Sequence, residues 1–423
     1  MTSSHDSVLI LFPLSYPYSG KAEDTFLNPE IHYLIKSFDR VIIIPASLDG
    51  DKCPVPENVD VDESLAYYLR LSLTQSLLTY TVHSILSSMF YKDIADNLTI
   101  SMNNKYLMRL AGYVGRATLT KRWLTKFIRE KKIGLEQTLF YTYWLEAVTL
   151  GIGLTKKTFP EIKLISRAHG FDLYHERHNP PLIPCRKKTL ELIDRIYFIS
   201  EQGKNYLNVK YPEFIHKYHV SRLGVPDPGL LSEPSRDGTI RIVSCSYMVD
   251  VKRLGLAIRG LAELAKRKHN QQFIWYHIGD GPLKNQLEEL AVETMPTNLH
   301  YQFLGQLNNP DVFEFYKNTP LDIFMNTSLS EGISVSIMEA QSCGIPVIAT
   351  SVGGTPEIVS DKVGKLIRPN PAPEEIASAI DSLLEDPRTF SERRSASKEN
   401  WNKTFNADKN FSSFAKSIRA LVN

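Results

Sequence analysis

The stretch Asn326–Val359, NTSLSEGISVSIMEAQSCGIPVIATSVGGTPEIV, decides the fold of the second half of the chain. The apolar run Leu321–Met325 leads into it and has the length of a strand, and the polar segment SLSEGIS that follows is typical of a turn. Ser334 or Ser336 then provides the N-cap of a helix that stops at Gly344. The pattern predicts a strand, a loop and a short buried helix.

A second strand-to-helix turn follows directly. Pro346–Thr350 is another apolar run, Ser351–Thr355 contains two glycines, and a helix is expected to begin near Pro356. Ligands bind outside the carboxyl ends of the strands in open α/β sheets, so two adjacent turns of this kind line one crevice.

Two glutamates, Glu331 and Glu339, stand on either side of the predicted helix start. The free N–H groups and the positive dipole end of a helix favour an anion, so a phosphate is expected over Ser334–Ser336. Glu339 lies about one turn inside the helix, where its paired oxygens suit the two hydroxyls of a ribose. Either glutamate alone is more readily explained as a surface residue that stabilises the helix dipole.

At this point the chain resembles the retaining glycosyltransferases of family 4 (group 1), and the HGFDLY run at residues 169–174 is similar to that of their polysaccharide-assembly members. The family signature EGxxxxxxEAxxxGxPVIAxxxGGxxE is matched by Glu331, Gly332, Glu339, Ala340, Gly344, Pro346, Val347, Ile348, Ala349, Gly353, Gly354 and Glu357. The resemblance implies the α/β GT-B fold, in which two Rossmann-like doubly wound domains face a central cleft.

The resemblance also implies roles for the donor-binding residues. Glu331 is expected to bind donor-sugar hydroxyls as a catalytic residue, Glu339 the ribose, and Lys252 the donor diphosphate. Many members have an arginine five residues before that lysine, whereas Tyr247 stands here, so Arg253 is expected to substitute for it. The remaining donor-binding residues expected are Gly279, Asp280, Gly281, Gly332, Ser334, Val335 and Ser336.

The residues themselves support some of these positions. Lys252 and Arg253 follow a strand and place two cations beside a helix start, although adjacent surface charges are often merely solvated. The GDGP turn at Gly279 either lets the backbone approach a nucleotide or is a simple turn.

His169 follows the strand run LISRA; a lone histidine is more often a hydrogen-bonded structural residue, but its position at a strand end raises the expectation of a functional one. The resemblance places a histidine near the transferred sugar, with His169 as a catalytic candidate. Asp172 and Gly20 are the expected acceptor-side residues. In retaining members the donor's own phosphate oxygen is thought to accept the acceptor proton, so no protein base is assigned.

The length of 423 residues predicts two domains. The segment Gly224–Gly238 is rich in proline and glycine and is the expected linker. The predicted domains are an N-terminal acceptor domain, 1–225, with a helical insert at about 61–132, and a C-terminal donor domain, 238–400. The tail, 405–423, is expected to form a helix that packs back on the first domain, as the resemblance implies.

Alternating apolar runs predict strands and helices in both halves. The strands expected in the first half are Val8–Phe12, Val41–Ile44, Thr138–Tyr143, Lys163–Ala168 and Arg195–Ile199. Beyond the linker the expected order is strand Thr239–Cys245, helix Leu254–Lys268, strand Phe273–Ile278, helix Leu283–Ala291 and strand Leu299–Phe303.

The end of the insert, Arg116–Lys132, mixes basic residues with Trp123 and Phe127. This pattern predicts either a basic amphipathic helix at an anionic membrane surface or, as the favoured alternative, an ordinary packed helix with a charged outer face. No run of the sequence reaches transmembrane length, and the first residues lack the pattern of a signal peptide. The expected location is therefore cytoplasmic, with peripheral attachment to the inner face of the plasma membrane as a further expectation.

Composition excludes some functions. The net charge of +2 predicts no nucleic-acid partner, and four scattered cysteines predict neither disulfides nor a metal site. With the resemblance, the expectation is a retaining, metal-independent hexosyltransferase without cofactor. Its co-substrate is a UDP- or GDP-hexose and its acceptor a hydroxyl of a lipid-linked oligosaccharide or a glycan. The alternatives are a nucleotide-sugar 2-epimerase and a non-catalytic sugar-nucleotide-binding scaffold subunit.

Overall fold

The computed structural model describes residues 7–18, 23–70 and 73–422. The chain folds into two compact units, one of Met1–Ser221 with Phe411–Asn423 and one of Arg222–Asn410. The predicted linker Gly224–Gly238 belongs to the second unit, because Val225 pairs through backbone hydrogen bonds with Phe405 and Ala407. The division therefore falls just before that linker.

The first unit contains a seven-stranded parallel sheet in the order β3-β2-β1-β4-β5-β6-β7. Its strands are β1 Val8–Phe12, β2 Arg40–Ile43, β3 Val59–Val61, β4 Thr138–Thr142, β5 Lys163–Ala168, β6 Arg195–Phe198 and β7 Tyr218–Val220. Its helices before the unit boundary are α1 Glu23–Ser37, α2 Ser64–Leu69, α3 Leu73–Ile85, α4 Ser88–Asp96, α5 Leu98–Ser101, α6 Asn104–Lys131, α7 Ala147–Thr155, α8 Arg186–Leu192 and α9 Glu201–Lys210.

The second unit contains a six-stranded parallel sheet in the order β10-β9-β8-β11-β12-β13. Its strands are β8 Thr239–Cys245, β9 Gln272–Ile278, β10 Leu299–Phe303, β11 Ile323–Asn326, β12 Val347–Thr350 and β13 Gly364–Ile367. Its helices are α10 Leu254–Arg267, α11 Lys284–Thr294, α12 Asn309–Asn318, α13 Val335–Ser342, α14 Thr355–Ile358, α15 Pro373–Leu384 and α16 Pro387–Thr404. The strand order is that of a doubly wound Rossmann sheet, which confirms the predicted fold of two such domains.

The helical insert comprises α2 to α6 and packs on the first sheet. Trp123 and Phe127 of α6 are buried and stack on each other with ring centroids 4.8 Å apart, and Trp123 meets the ring of Phe12 edge to face. The two aromatic residues are therefore core residues, as expected for the favoured alternative of an ordinary packed helix. Among the described residues, no helix combines the length and the apolar character needed to cross a membrane.

The last helix, α17 Ala407–Arg419, crosses the boundary between the units. Phe414 lies in the core of the first unit, against the rings of Tyr141 and Tyr197. The guanidinium of Arg167 lies 4.3 Å from the centre of the Phe414 ring. Residues near the end of the helix thus complete a core formed by strands from the first half.

Candidate functional site

The carboxyl ends of β8 and β11 meet in the middle of the second sheet. A short 3-10 turn after β8 carries Lys252, and the loop after β11 carries Glu331. The Lys252 ammonium donates a hydrogen bond to Oε1 of Glu331 at 2.7 Å. Because the strand order reverses between β8 and β11, this ion pair lies at the topological switch point, where open α/β sheets bind their ligands.

Glu331 is buried, and its two oxygens differ in their surroundings. Oε1 accepts hydrogen bonds from Lys252, from the hydroxyl of Ser328 at 2.6 Å and from the amide of Asn326 at 3.4 Å. Burial opposes ionisation, but the Lys252 charge and these donors outweigh it and hold the pKa of Glu331 below its usual range. Among the described residues none donates to Oε2, so this oxygen is available to a ligand hydroxyl.

Glu339, on the first turns of α13, is only 5 % exposed. Its Oε1 accepts a hydrogen bond from the amide of Asn309, at the start of α12. Burial raises the pKa of Glu339 to about 7, and the Asn309 bond opposes this only in part. The carboxyl group is thus divided between its neutral and ionised forms near neutral pH.

The start of α13 lacks a side-chain cap. Ser334 occupies the N-cap position, but its hydroxyl lies 3.1 Å from that of Ser336 and accepts from Asn326 at 3.4 Å, so it makes no capping bond to the helix. The first N–H groups of the helix, those of Val335 and Ser336 included, therefore remain open to an anion. Gly332 accepts a backbone hydrogen bond from Gly354, which joins the two strand-to-helix turns.

Gly353 shows why this junction needs glycine. Its φ is +51°, and a Cβ there would lie 1.8 Å from the carbonyl oxygen of Glu331. Only a residue without a side chain lets the second turn approach the loop that carries Glu331 this closely.

Arg253 binds protein acceptors. Its guanidinium donates to the carbonyls of Thr327, Ser328 and Pro369 and to the side chain of Asn370, over 2.7 to 3.0 Å. The side chain thereby supports the loop between β11 and α13. This geometry fits a residue that positions the loop better than one that binds the diphosphate, the role expected from the sequence. Tyr247, which stands where many family members have an arginine, is 57 % exposed.

The GDGP turn after β9 packs against the turn after β8. A Cβ on Gly279 would lie 1.9 Å from the Ser246 carbonyl oxygen, and one on Gly281 would lie 2.6 Å from that of Met248. Oδ1 of Asp280 accepts the N–H of Gly281 at 2.7 Å. Both glycines thus meet a packing requirement within the protein, apart from the donor-binding role that the resemblance implies for them.

His169 follows β5 in the first unit and is 5 % exposed. Its ring packs against those of Tyr143 and Trp144 at tilted angles, with centroids 4.8 and 4.4 Å away. Burial, and then the charge of Arg167, lower the pKa of His169 to about 3, so the imidazole is neutral at neutral pH. Nε2 lies 3.1 Å from the Tyr143 carbonyl, which can only accept, so Nε2 carries the proton and Nδ1 is the acceptor of the ring.

Asp172 joins the loops that follow β4 and β5. Its Oδ1 accepts the N–H of His169 and its Oδ2 that of Leu145, each at 2.8 Å. Burial raises the pKa of Asp172, and these two backbone bonds oppose the shift. Arg186 donates to the carbonyls of both Leu145 and Asp172, which fixes the two loops further.

Glu23, at the start of α1, holds the turn after β1. Its carboxylate accepts the N–H groups of Leu14, Ser15 and Tyr16 at 2.8 to 3.0 Å and the indole N–H of Trp144 at 2.6 Å. The turn after β1 is thereby tied to Trp144, the ring of which packs against that of His169. Gly20, expected on the acceptor side, lies outside the described residues.

The structure thus joins Lys252 directly to Glu331, and Asp172 directly to the backbone of His169, within separate units. The sequence alone does not point to six residues of these environments: Asn309, Asn326, Ser328, Glu23, Tyr143 and Trp144. The missed residues are ordinary polar or aromatic side chains whose roles depend on tertiary contacts. No group of three His, Cys, Asp or Glu side chains within the described part of the chain is arranged to hold a metal ion.

A family comparison matches most of the second unit. Residues 232–404 match the family described as glycosyl transferases group 1. Over these residues the chain is similar to that family, which agrees with the resemblance found in the sequence.

Individual relatives are similar over part of the chain. The chain is 32 % identical over 151 residues to a subunit of the phosphatidylinositol N-acetylglucosaminyltransferase of Arabidopsis thaliana, which covers 36 % of this chain and 32 % of that protein. The first curated relatives are matched over 27 to 37 % of their length, about a third.

Solved structures share the fold over nearly the whole chain. The lipopolysaccharide outer core galactosyltransferase WaaB, in its apo form, aligns with a TM-score of 0.69 at 13 % identity, covering 97 % of this chain and 99 % of that one. Anabaena HepE in complex with UDP aligns with a TM-score of 0.64 at 16 % identity, covering 98 % and 100 %.

Proposed function

We propose that the protein transfers a hexose from a nucleotide-diphosphate sugar to a hydroxyl of a lipid-linked or polysaccharide acceptor. The observation that carries the proposal is the Lys252–Glu331 ion pair at the switch point of a group 1 glycosyl transferases domain. A cation and a carboxylate with one unoccupied oxygen are the groups required to hold a diphosphate and a sugar hydroxyl side by side.

The donor is assigned to the second unit. The Oε2 atom of Glu331 accepts a donor-sugar hydroxyl, Glu339 accepts the ribose hydroxyls, and the uncapped start of α13 faces the diphosphate. HepE was solved with UDP, which supports a nucleotide-sugar donor here. Either UDP- or GDP-hexose fits these contacts, because none of them reads the base.

The chemical step creates negative charge on the departing nucleoside diphosphate. Lys252 and the α13 N–H groups are preorganised to stabilise that charge, with Arg253 supporting the loop that positions them. We propose on this basis that the transfer needs no metal ion. Retention of anomeric configuration is proposed from the resemblance to family 4.

His169 is assigned to the region of the transferred sugar. A neutral imidazole with a protonated Nε2 cannot donate a proton as an acid at neutral pH, so its role is to position and accept hydrogen bonds. This agrees with a mechanism in which the donor phosphate oxygen takes the proton of the acceptor hydroxyl.

A lipid-linked acceptor is favoured by the relatives. The Arabidopsis protein is named for phosphatidylinositol and WaaB for lipopolysaccharide. We propose that this chain likewise works on an acceptor held at an anionic membrane surface, as a peripheral protein on the cytoplasmic face.

The insert offers a different membrane contact from the one that sequence analysis expects. We call the end of the insert where α3 stops and α6 begins its tip. There the Ser84 hydroxyl of α3 donates a hydrogen bond to the Ala111 carbonyl of α6 at 2.7 Å. The exposed apolar residues on or beside the helix ends of the tip are Ile85, Leu86, Leu98, Met102 and Met108. Residues 64–132 contain eleven Lys or Arg and three Asp or Glu, against a net charge of +2 for the whole chain. Apolar tips on a basic segment suit an interface rich in anionic lipid.

Co-flotation with vesicles tests this contact. The double variant Leu86→Ser/Met102→Ser is expected to lose binding to vesicles of phosphatidylglycerol and phosphatidylcholine. The matched control, Val209→Ser/Val292→Ser, changes equally exposed apolar residues elsewhere and is expected to bind as the wild type does. Equal binding by both double variants, or equal wild-type binding to purely neutral vesicles, contradicts the proposal.

The transferase activity itself is tested with a panel of UDP- and GDP-hexoses. A true donor is expected to raise the melting temperature through ligand-linked stabilisation, and then to give a glycosylated product with lipid-linked or glycan acceptors. Donor epimerisation without an acceptor supports the epimerase alternative, and donor binding without any turnover supports a scaffold role. Either result refutes the transferase proposal.

A further inference from the structure

A cavity of about 360 Å³ lies in the first unit, beneath the insert helix α6. One wall is α6, with Gly112 and Arg116, and the other is formed by the loops after β4 and β5, with Glu146, Phe171 and Asp172. Its size is at the small end of ligand pockets, which span about 300–1,000 Å³. The cavity therefore suits one compact group.

The two glycines in the middle of α6 have different explanations. A Cβ on Gly115 would lie 2.6 Å from Tyr80, so α3 packs too closely there for any side chain. A Cβ on Gly112 would meet no atom within 4 Å, and Gly112 lines the cavity. Glycine inside a helix costs about 0.5–1 kcal/mol relative to alanine, so Gly112 weakens the helix without any packing reason. What it provides is the open space itself.

The cavity is lined by two basic and two acidic side chains. Arg109 and Arg116 face Glu146 and Asp172 across it. The guanidinium of Arg109 donates to the carbonyls of Pro180 and Leu182, at 3.0 and 2.9 Å, whereas that of Arg116 donates no hydrogen bond to the described residues. Two cations opposite two carboxyl groups favour a neutral ligand with many hydroxyls over a free anion.

An aromatic pair forms the lip of the cavity. The Phe171 ring is 53 % exposed and lies 4.5 Å from the ring of His178, and both residues line the cavity. An exposed apolar ring face next to charged hydrogen-bonding groups matches a pyranose, which presents C–H groups on its faces and hydroxyls at its edge.

We propose that this cavity binds one sugar residue of the acceptor, with Gly112 providing the space, Phe171 the apolar face, and Arg116 and Glu146 the hydrogen bonds. This inference rests on the proposed function, because only a transferase makes the bound sugar part of an acceptor. Asp172 connects the cavity to His169, because it lines the cavity and also accepts the backbone N–H of His169.

The test fills the cavity with a side chain at Gly112, where the helix leaves it open. Gly112→Phe places a ring in the open space, and Gly112→Ala is the matched control, since it changes the helix propensity in the same direction and leaves most of the volume free. Saturation-transfer NMR with methyl gluco-, galacto- and mannopyranosides is expected to detect binding of at least one glycoside to the wild type and to Gly112→Ala, and none to Gly112→Phe at this site. In the transfer assay, the KM for acceptor is expected to rise at least tenfold in Gly112→Phe alone, with donor KM unchanged.

A second variant covers the case in which Gly112→Phe fails to fold. Phe171→Ser alters only an exposed loop ring and is expected to raise the KM for acceptor at least fivefold. Wild-type acceptor KM and glycoside binding in both variants overturn the inference, as does displacement of the glycosides by inorganic phosphate, which identifies an anion site. If the wild type transfers no sugar but its glycoside binding depends on Gly112, the transferase proposal fails and the sugar site remains.

Discussion

The affinity for a nucleotide-sugar should depend on pH through Glu339. Its carboxyl group has a pKa of about 7, because it is buried with only an amide as partner. If the ionised form binds the ribose hydroxyls, the competent fraction rises from roughly a tenth at pH 6 to roughly nine tenths at pH 8. The dissociation constant should therefore fall about tenfold over this range, which corresponds to about 1.4 kcal/mol.

Calorimetric titration at constant ionic strength measures this effect. A nucleotide-sugar is the appropriate ligand, because its diphosphate is a diester and does not titrate in this range. A free nucleoside diphosphate ends in a phosphate with its own pKa of about 6. Glu339→Gln should bind more weakly and with no such pH dependence, and the exposed Glu289→Gln should behave as the wild type. An unchanged pH dependence in Glu339→Gln, or a flat profile in the wild type, refutes the reasoning.

The same pKa makes an independent prediction about stability. The folded value of about 7 lies above the ordinary 4.5, so the folded state retains a proton that the unfolded state loses. Stability from this group is present below pH 4.5 and is lost as the pH rises to about 7, amounting to about 3 kcal/mol. Relative to the wild type, Glu339→Gln should thus gain free energy of unfolding between pH 5 and pH 8 in urea titrations. A difference between the two proteins that does not change with pH contradicts the assignment.

Three further substitutions test the remaining contacts. Lys252→Met should lower kcat by about 10²–10³ by removing charge stabilisation of the leaving group, and also destabilise the protein; the double variant with Glu331→Gln should recover stability in urea titration but not turnover. His169→Ala should reduce transfer severalfold in a protein that remains folded by circular dichroism, and wild-type turnover would exclude a role at the sugar. Gly353→Ala should cost clearly more free energy of unfolding than Gly238→Ala, where φ is also positive but no atom lies within 4 Å of the added Cβ; equal losses would show that the contact with the Glu331 loop is unimportant.

Much of the fold follows from local sequence signals. The strands Val8–Phe12, Lys163–Ala168, Thr239–Cys245 and Leu299–Phe303 have the predicted bounds, because each is an apolar run bordered by turn residues. The edge strands β3 and β7 were not expected, since three residues carry too little periodicity to be recognised. Burial also decided between the alternatives for α6, because its aromatic residues face the sheet.

Residues of the candidate site could be predicted only where a local sequence signal, such as a strand end or a helix start, marks their position. Glu331, Glu339 and Lys252 are recognisable because each follows a strand or begins a helix. Their environments depend on distant residues: Asn309 reaches Glu339 from another helix, and Ser328 completes the shell of Glu331 from within the loop. The expectation for Arg253 differs from the structure for a related reason, since its acceptors are backbone carbonyls that no side-chain pattern reveals.

The position of α17 has a consequence for biosynthesis. Phe414, Ile418 and Val422 belong to the core of the first unit, with Leu9, Tyr141 and Tyr197. During translation the strands of this unit leave the ribosome long before those three side chains, so its core stays unfinished until the second unit has also been made. We therefore expect nascent chains that end near residue 221 to remain sensitive to protease, whereas adding residues 411–422 in trans should protect them.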